Sequence, residues 1–274
     1  MMVLPFLLLG LVAAQPTVQP PATRILFIGN SYTYVNNLPE LLADLGRRAK
    51  PSRTITTDWV VAPGASLEQL WDDGRAVSKI RERRWDFVVL QEQSMLGGAV
   101  VNGKMTVAEP ANLWKYGRLF DHEIKQAGAR TVLYQTWAPR TNPEWQIKID
   151  AGYVPLAREL GALRAPVGPA WARVIRERPG LDLYFSDGRH PGPAGSYLAA
   201  CTLWATMFQQ SPEGLPASAS GHNADMGGQL AKEIGPLVTL RSDEARFLQR
   251  VAWEVSKTSR STLGLSLLGV ARSP

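Results

Sequence analysis

Arg24-Ile25-Leu26-Phe27-Ile28-Gly29-Asn30-Ser31 is the stretch that decides the reading of this chain. An unbroken apolar run that stops at Gly-Asn-Ser has the pattern of a short strand buried on both faces and closed by turn residues. In an open parallel sheet, ligands bind beyond the carboxyl ends of the strands, so Ser31 stands where a substrate is expected. By itself Gly-Asn-Ser is only a turn. About 160 residues further on, however, Asp187-Gly188-Arg189-His190 supplies the partners that a reactive serine requires. A carboxylate three residues before an imidazole can fold back and accept the Nδ1 proton, which leaves Nε2 free to serve Ser31.

Strand and helix patterns alternate outward from this first strand. Leu38 to Lys50 is amphipathic, with Pro39 tolerated in its first turn. Thr54 to Val61 reads as the second strand, and Ser66-Leu67-Glu68-Gln69 as a capping box opening a helix through Arg83. Phe87 to Gln91 is the third strand, and Thr106 with Glu109 forms another box, for a helix to about Gln126. Thr131 to Thr136 is strand four, Trp145 to Leu160 a helix, and Ala162 to Val167 a fifth strand. A long helix follows Pro191 to about Gln209. Ser211 to Gly228, rich in Ser, Gly, Pro and Ala, is expected to be loop. Ser242 starts a helix to about Lys257, and Thr258 to Pro274 has no convincing pattern. Such alternation predicts an α/β fold, a doubly wound sheet of about five parallel strands.

These blocks resemble those of the SGNH hydrolases, also called the GDSL esterase/lipase superfamily, over most of the chain. Gly29-Asn30-Ser31 corresponds to the first block, G-D-S, with Asn in place of Asp. Ala62-Pro63-Gly64-Ala65-Ser66 supplies the glycine of the second block, and Asp187 with His190 the final D-x-x-H. The third block departs from the pattern: Gln91-Glu92-Gln93-Ser94 replaces G-x-N-D and is similar to the Q-G-E-S stretch of some carbohydrate esterases of the superfamily. The resemblance implies a flavodoxin-like strand order, Ser31 as nucleophile, His190 as base and Asp187 as its orienter. It also implies an oxyanion hole formed by the backbone N–H groups of Ser31 and Gly64 and a side-chain amide, with Gln91 preferred and Gln93 the alternative. Such an amide donor contributes roughly 3 kcal/mol in a transition state. The reaction expected is hydrolysis of a carboxylic ester through an acyl-enzyme, on a small or carbohydrate substrate bearing an acetyl or short acyl group. A lipase or thioesterase, and a non-catalytic carbohydrate-binding protein on the same scaffold, are the alternatives.

Composition narrows the class. The net charge is +6, with 30 Lys and Arg against 24 Asp and Glu, but the basic residues are dispersed. Their densest cluster, Lys79 to Arg84, reads as the solvated end of a helix, so no nucleic-acid role is expected. The one cysteine, Cys201, lies in an apolar helical stretch and reads as a core thiol. His122 reads as solvated, His222 has no evident role, and no His, Cys or carboxylate spacing suggests a metal; no cofactor is expected. Trp137, beyond strand four, is a candidate wall for a sugar subsite, and Arg189 a candidate contact for a substrate carboxylate or phosphate. Residues 1–14 read as a signal peptide ending near Ala13-Ala14, too short for the roughly 20 apolar residues that span a bilayer. A secreted or periplasmic protein without stable membrane insertion is therefore expected. Residues 15–23 read as a linker, 24–210 as the α/β domain, and 211–274 as an extension packed on it.

Overall fold

The computed structural model describes residues 22–269, with side chains described through residue 260. The leader reading and most of the linker lie outside the described residues. At the centre is a parallel sheet of five strands: β1 (Thr23–Gly29), β2 (Ile55–Val61), β3 (Phe87–Leu90), β6 (Arg130–Gln135) and β7 (Leu163–Pro166), in spatial order β2-β1-β3-β6-β7. The chain leaves β1 toward one side to form β2 and returns on the other to form β3. That reversal opens a crevice at the carboxyl ends of β1 and β3, the place where doubly wound sheets bind ligands.

The apolar run in β1 is buried on both faces. Ile25 and Phe27 join one core and Leu26 and Ile28 the other, all fully inaccessible. Each such side chain contributes roughly 1.5–3 kcal/mol relative to exposure. The first core is closed by α2 (Leu38–Arg48), α7 (Val167–Glu177), α8 (Pro193–Phe208) and α9 (Ser242–Gly269). The second is closed by α3 (Leu67–Asp72), α4 (Arg75–Glu82), α5 (Ala111–Gln126) and α6 (Gln146–Leu160). Cys201 is buried in α8. The one-turn helix α1 (Ser31–Tyr34) leaves β1 directly. Among the described residues no helix is long and apolar enough to cross a membrane.

Several elements differ from expectation. The helix read from Ser66 to Arg83 is two helices, because Gly74 takes φ 73° between α3 and α4; the Ser66–Gln69 capping box is formed. Thr106 does not open a helix. It ends a small hairpin, β4 (Ala99–Val101) with β5 (Lys104–Thr106), and α5 begins only after Pro110. The segment expected to be loop carries β8 (Ser218–Ala224), which pairs antiparallel with β9 (Leu230–Thr239). β8 is short of β-branched and aromatic residues, so propensity gave no signal. It is held by contacts instead: Glu40 on α2 accepts the His222 backbone N–H at 2.8 Å and faces His222 Nδ1 at 3.1 Å. Finally, α9 runs past Lys257 to Gly269, packing on α7 and α8.

Candidate active site

Gly29, Asn30 and Ser31 turn the chain out of β1 into α1. Asn30 is the N-cap, its Oδ1 accepting the Tyr32 N–H at 3.1 Å. Position 29 must be glycine because a Cβ there would stand 2.6 Å from Gln91 Oε1. Ser31, 8% exposed, thus sits at the carboxyl end of β1 with its hydroxyl facing the crevice cavity of about 320 Å³.

His190 Nε2 lies 2.9 Å from Ser31 Oγ, and His190 Nδ1 lies 2.5 Å from Asp187 Oδ2. Asp187 Oδ1 accepts the backbone N–H groups of Arg189 and His190 at 2.9 and 3.0 Å, so the carboxylate closes its own loop while its other oxygen orients the ring. Burial alone would raise the Asp187 carboxyl; the hydrogen bonds from the His190 ring and these two N–H groups hold it below its ordinary value. It therefore stays ionised where an imidazolium beside it would need a counter-charge. A serine hydroxyl, an imidazole and a carboxylate in line can move a proton from oxygen to nitrogen as the oxygen attacks an electrophile.

The loop that carries His190 is braced from the core. Trp171, Trp137 and Tyr32 form a column, with centroid spacings of 3.9 Å and 4.5 Å and nearly parallel rings, and the Tyr32 ring meets the His190 ring edge-on at 5.6 Å. Trp137 Nε1 donates to the Arg189 carbonyl at 3.0 Å. Trp137 is completely buried, which overturns its reading as a sugar platform: it supports the Asp187–His190 loop from beneath. Asn36, which the sequence reading missed, donates to the Pro191 carbonyl and to Ser196 Oγ, both at 2.9 Å, and holds the other end of this loop.

The second block forms a turn in which Ala65 N–H donates to Ala62 O at 3.2 Å, with Gly64 at φ 64°. Pro followed by a glycine at positive φ is the composition of a type II turn. The backbone N–H groups of Ser31 and Gly64 have no acceptor among the described residues, and both residues line the cavity.

The third block corrects the preference for Gln91. Its amide nitrogen donates to Asn30 Oδ1 at 2.9 Å and to Glu92 O at 2.5 Å, and its oxygen accepts from Asn30 N–H and Thr33 Oγ1, both at 2.9 Å. Fully buried and fully bonded, Gln91 has no donor left for a substrate. It locks the Gly-Asn-Ser turn to β3. Gln93 lines the cavity; its oxygen accepts the N–H groups of Met95 at 2.7 Å and Gly97 at 3.2 Å, leaving its amide nitrogen without a protein partner among the described residues. Ser94 lies against the Tyr32 hydroxyl, whose burial raises its pKa while the contact with Ser94 opposes the rise. Arg189 lines the same cavity and its guanidinium joins no ion pair among the described residues.

Two residues with no sequence signal complete the wall. Tyr34 Oη donates to the Met226 carbonyl at 2.8 Å, and Met226, at the tip of the β8–β9 hairpin, lines the cavity. Nothing local links residue 226 to residue 31; the hairpin's docking brings them together.

No protein-family model and no curated protein matches the chain. Among solved structures, a protein from Slackia heliotrinireducens described as an SGNH hydrolase is 30% identical, with a TM-score of 0.55 over 68% of this chain and 100% of its own. A DUF4886 family protein from Bacteroides uniformis is 18% identical, with a TM-score of 0.58 over 85% of this chain and 94% of that one. A catalytic mutant of an acetylxylan esterase from Geobacillus stearothermophilus is 13% identical, with a TM-score of 0.52 over 68% and 94%. The last two share the fold. With the strand order and the first relative together, the chain belongs to the SGNH hydrolases.

Proposed function

We propose that this protein is a serine esterase that removes a short acyl group, such as acetyl, from a carbohydrate. The observation that carries the reading is the alignment of Ser31 Oγ, the His190 ring and Asp187 at 2.9 and 2.5 Å. Ser31 Oγ attacks the ester carbonyl while His190 Nε2 takes its proton, and Asp187 holds the imidazolium. The oxyanion is met by the N–H groups of Ser31 and Gly64 and by the Gln93 amide, donors already fixed in place before the charge develops. His190 then passes the proton to the leaving alcohol, the acyl-enzyme forms, and water repeats the cycle to release the acid and restore Ser31.

The substrate class rests on the small cavity, on the likeness of Gln91-Glu92-Gln93-Ser94 to the carbohydrate-esterase stretch, and on the fold shared with an acetylxylan esterase. Arg189, exposed at the rim with no carboxylate partner among the described residues, would donate hydrogen bonds to oxygens of the substrate. The apolar leader supports export.

Hydrolysis of p-nitrophenyl acetate by wild type and Ser31→Ala tests the proposal, with fluorophosphonate labelling in parallel. Turnover and labelling that both vanish in the variant uphold it. A folded wild type that neither turns over nor labels refutes it and favours a carbohydrate-binding protein on this scaffold.

A further inference from the structure

Beside the catalytic cavity lies a larger groove, about 850 Å³, between the end of β2, the helix α4 and the tip of the β8–β9 hairpin. The two are lined by different residues of the same two segments. Val61 lines the groove and Pro63 the cavity, two residues along one segment; Gly228 lines the groove and Met226 the cavity, two residues along another. Val61 also pairs in register with Gly29, two residues before Ser31. A ligand in the groove therefore abuts the position where an ester would meet the serine.

The lining specifies the chemistry of the occupant. Trp59 is half-buried, packed against the small cluster of Tyr34, Val35 and Ala224, and lines the groove. Its indole N–H has no acceptor among the described residues. The opposite wall carries Asp73, Arg75, Ser78, Lys79 and Glu82. These charges are matched within the protein: Arg75 with Asp73 at 2.8 Å, and Lys79 with Asp58 at 2.7 Å and Glu82 at 3.1 Å. The groove thus offers many hydrogen-bonding groups with little unpaired charge. It does not suit a phosphate or a polyanion, which would require uncompensated cations, nor an acyl chain, which would strip water from these ion pairs and from the Ser78 hydroxyl. A neutral oligosaccharide has matching needs: hydroxyls for the polar wall and flat C–H faces for an indole.

We infer that this groove binds the glycan portion of the substrate, a neutral oligosaccharide lying on Trp59 with its acylated unit directed past the hairpin tip to Ser31. The inference rests on the esterase reading for the identity of the reacting group, but glycan binding in the groove stands or falls separately. Trp59 takes the place that sequence assigned to Trp137.

The test compares kcat/KM on acetylated xylotetraose with kcat/KM on p-nitrophenyl acetate for wild type, Trp59→Ala and Ser78→Trp. Ser78 is exposed on α4, so the second variant fills the groove without disturbing the core. The expected result is a fall of about tenfold in the ratio for each variant, carried by KM on the oligosaccharide, as loss of ground-state binding requires. A ratio unchanged in Ser78→Trp overturns the inference. Should the wild type hydrolyse neither ester, the esterase reading fails and the groove is judged by calorimetric titration with xylotetraose. Binding abolished by Ser78→Trp upholds the groove, and absence of binding by wild type refutes it.

Discussion

Replacing Glu92 with glutamine should remove a pH dependence of stability built into the active-site loops. Glu92 follows β3 and is fully buried. Its Oε1 accepts the Leu67 N–H at 3.1 Å and the Gln93 N–H at 2.6 Å, tying the start of α3, just beyond the Gly64 turn, to the segment that carries Gln93. Its Oε2 has no hydrogen-bond partner among the described residues. Burial pushes the carboxyl from 4.5 up to about 7, against the two backbone hydrogen bonds, with Glu68 adding to the rise. The folded-state value is raised, so the stability contributed by protonated Glu92 is complete below pH 4.5, declines through the interval up to about 7 and is lost above it. A separation of about 2.5 pH units corresponds to roughly 3 kcal/mol, a large share of a typical folding free energy of about 5–15 kcal/mol. Glu92→Gln keeps the accepting oxygen and cannot ionise. Urea unfolding of both proteins at pH 5 and pH 8 should show wild type losing about 2–3 kcal/mol relative to the variant on going to pH 8. A wild-type-minus-variant difference that is the same at both pH values would refute the reasoning.

Three further outcomes follow from the site. Ser31→Ala and His190→Ala should each remove nearly all esterase turnover and the double variant should be hardly worse, because the two act as a unit; additive losses in kcat would contradict the relay. Gln93→Ala should lower kcat by about 10²–10³ and cost about 1–2 kcal/mol of stability through its two loop hydrogen bonds, whereas Gln91→Ala should cost about 3 kcal/mol by stranding its buried partners with little further effect on kcat; reversed readouts in kinetics and urea unfolding would return the oxyanion role to Gln91. Asn30→Asp should cost about 1–3 kcal/mol at pH 8, since the Asn30 amide donates to the Ala65 carbonyl at 2.9 Å and a carboxylate would set oxygen against oxygen. The loss should shrink at pH 5 as the carboxyl gains a proton to donate, and a variant as stable as wild type at pH 8 would sink the argument.

The parts of the fold readable in advance were those in which local pattern and tertiary role agree. Arg24 to Ile28 is apolar at every position after the first because both faces of β1 are covered, and that pattern is visible without knowing what covers them. Ser66 and Gln69 formed their box because its hydrogen bonds are local. Thr106 and Glu109 have the same spacing, but Thr106 was claimed by a hairpin and Pro110 delayed the helix. β8 was invisible because its buried residues are small: Gly221 lies against Glu40 of α2, Ala224 against Tyr34 and Val35, and Ala219 in the first core, so the burial is a property of the neighbours.

Sequence by itself determined the alternation of strands and helices and named Ser31, Asp187 and His190 as candidates for a relay, because residue type and short spacing carry both, while leaving to the fold the meeting of Ser31 and His190 across 159 residues. It could not choose between Gln91 and Gln93, two residues apart with identical side chains. Only the packing of Asn30 and Thr33 against β3 consumed the hydrogen bonds of one and left the other at the cavity. Nor could it separate nine tryptophans into column, core and groove. Burial is decided by what lies across the sheet, so Trp137 became a pillar beneath the loop and Trp59 a wall beside it.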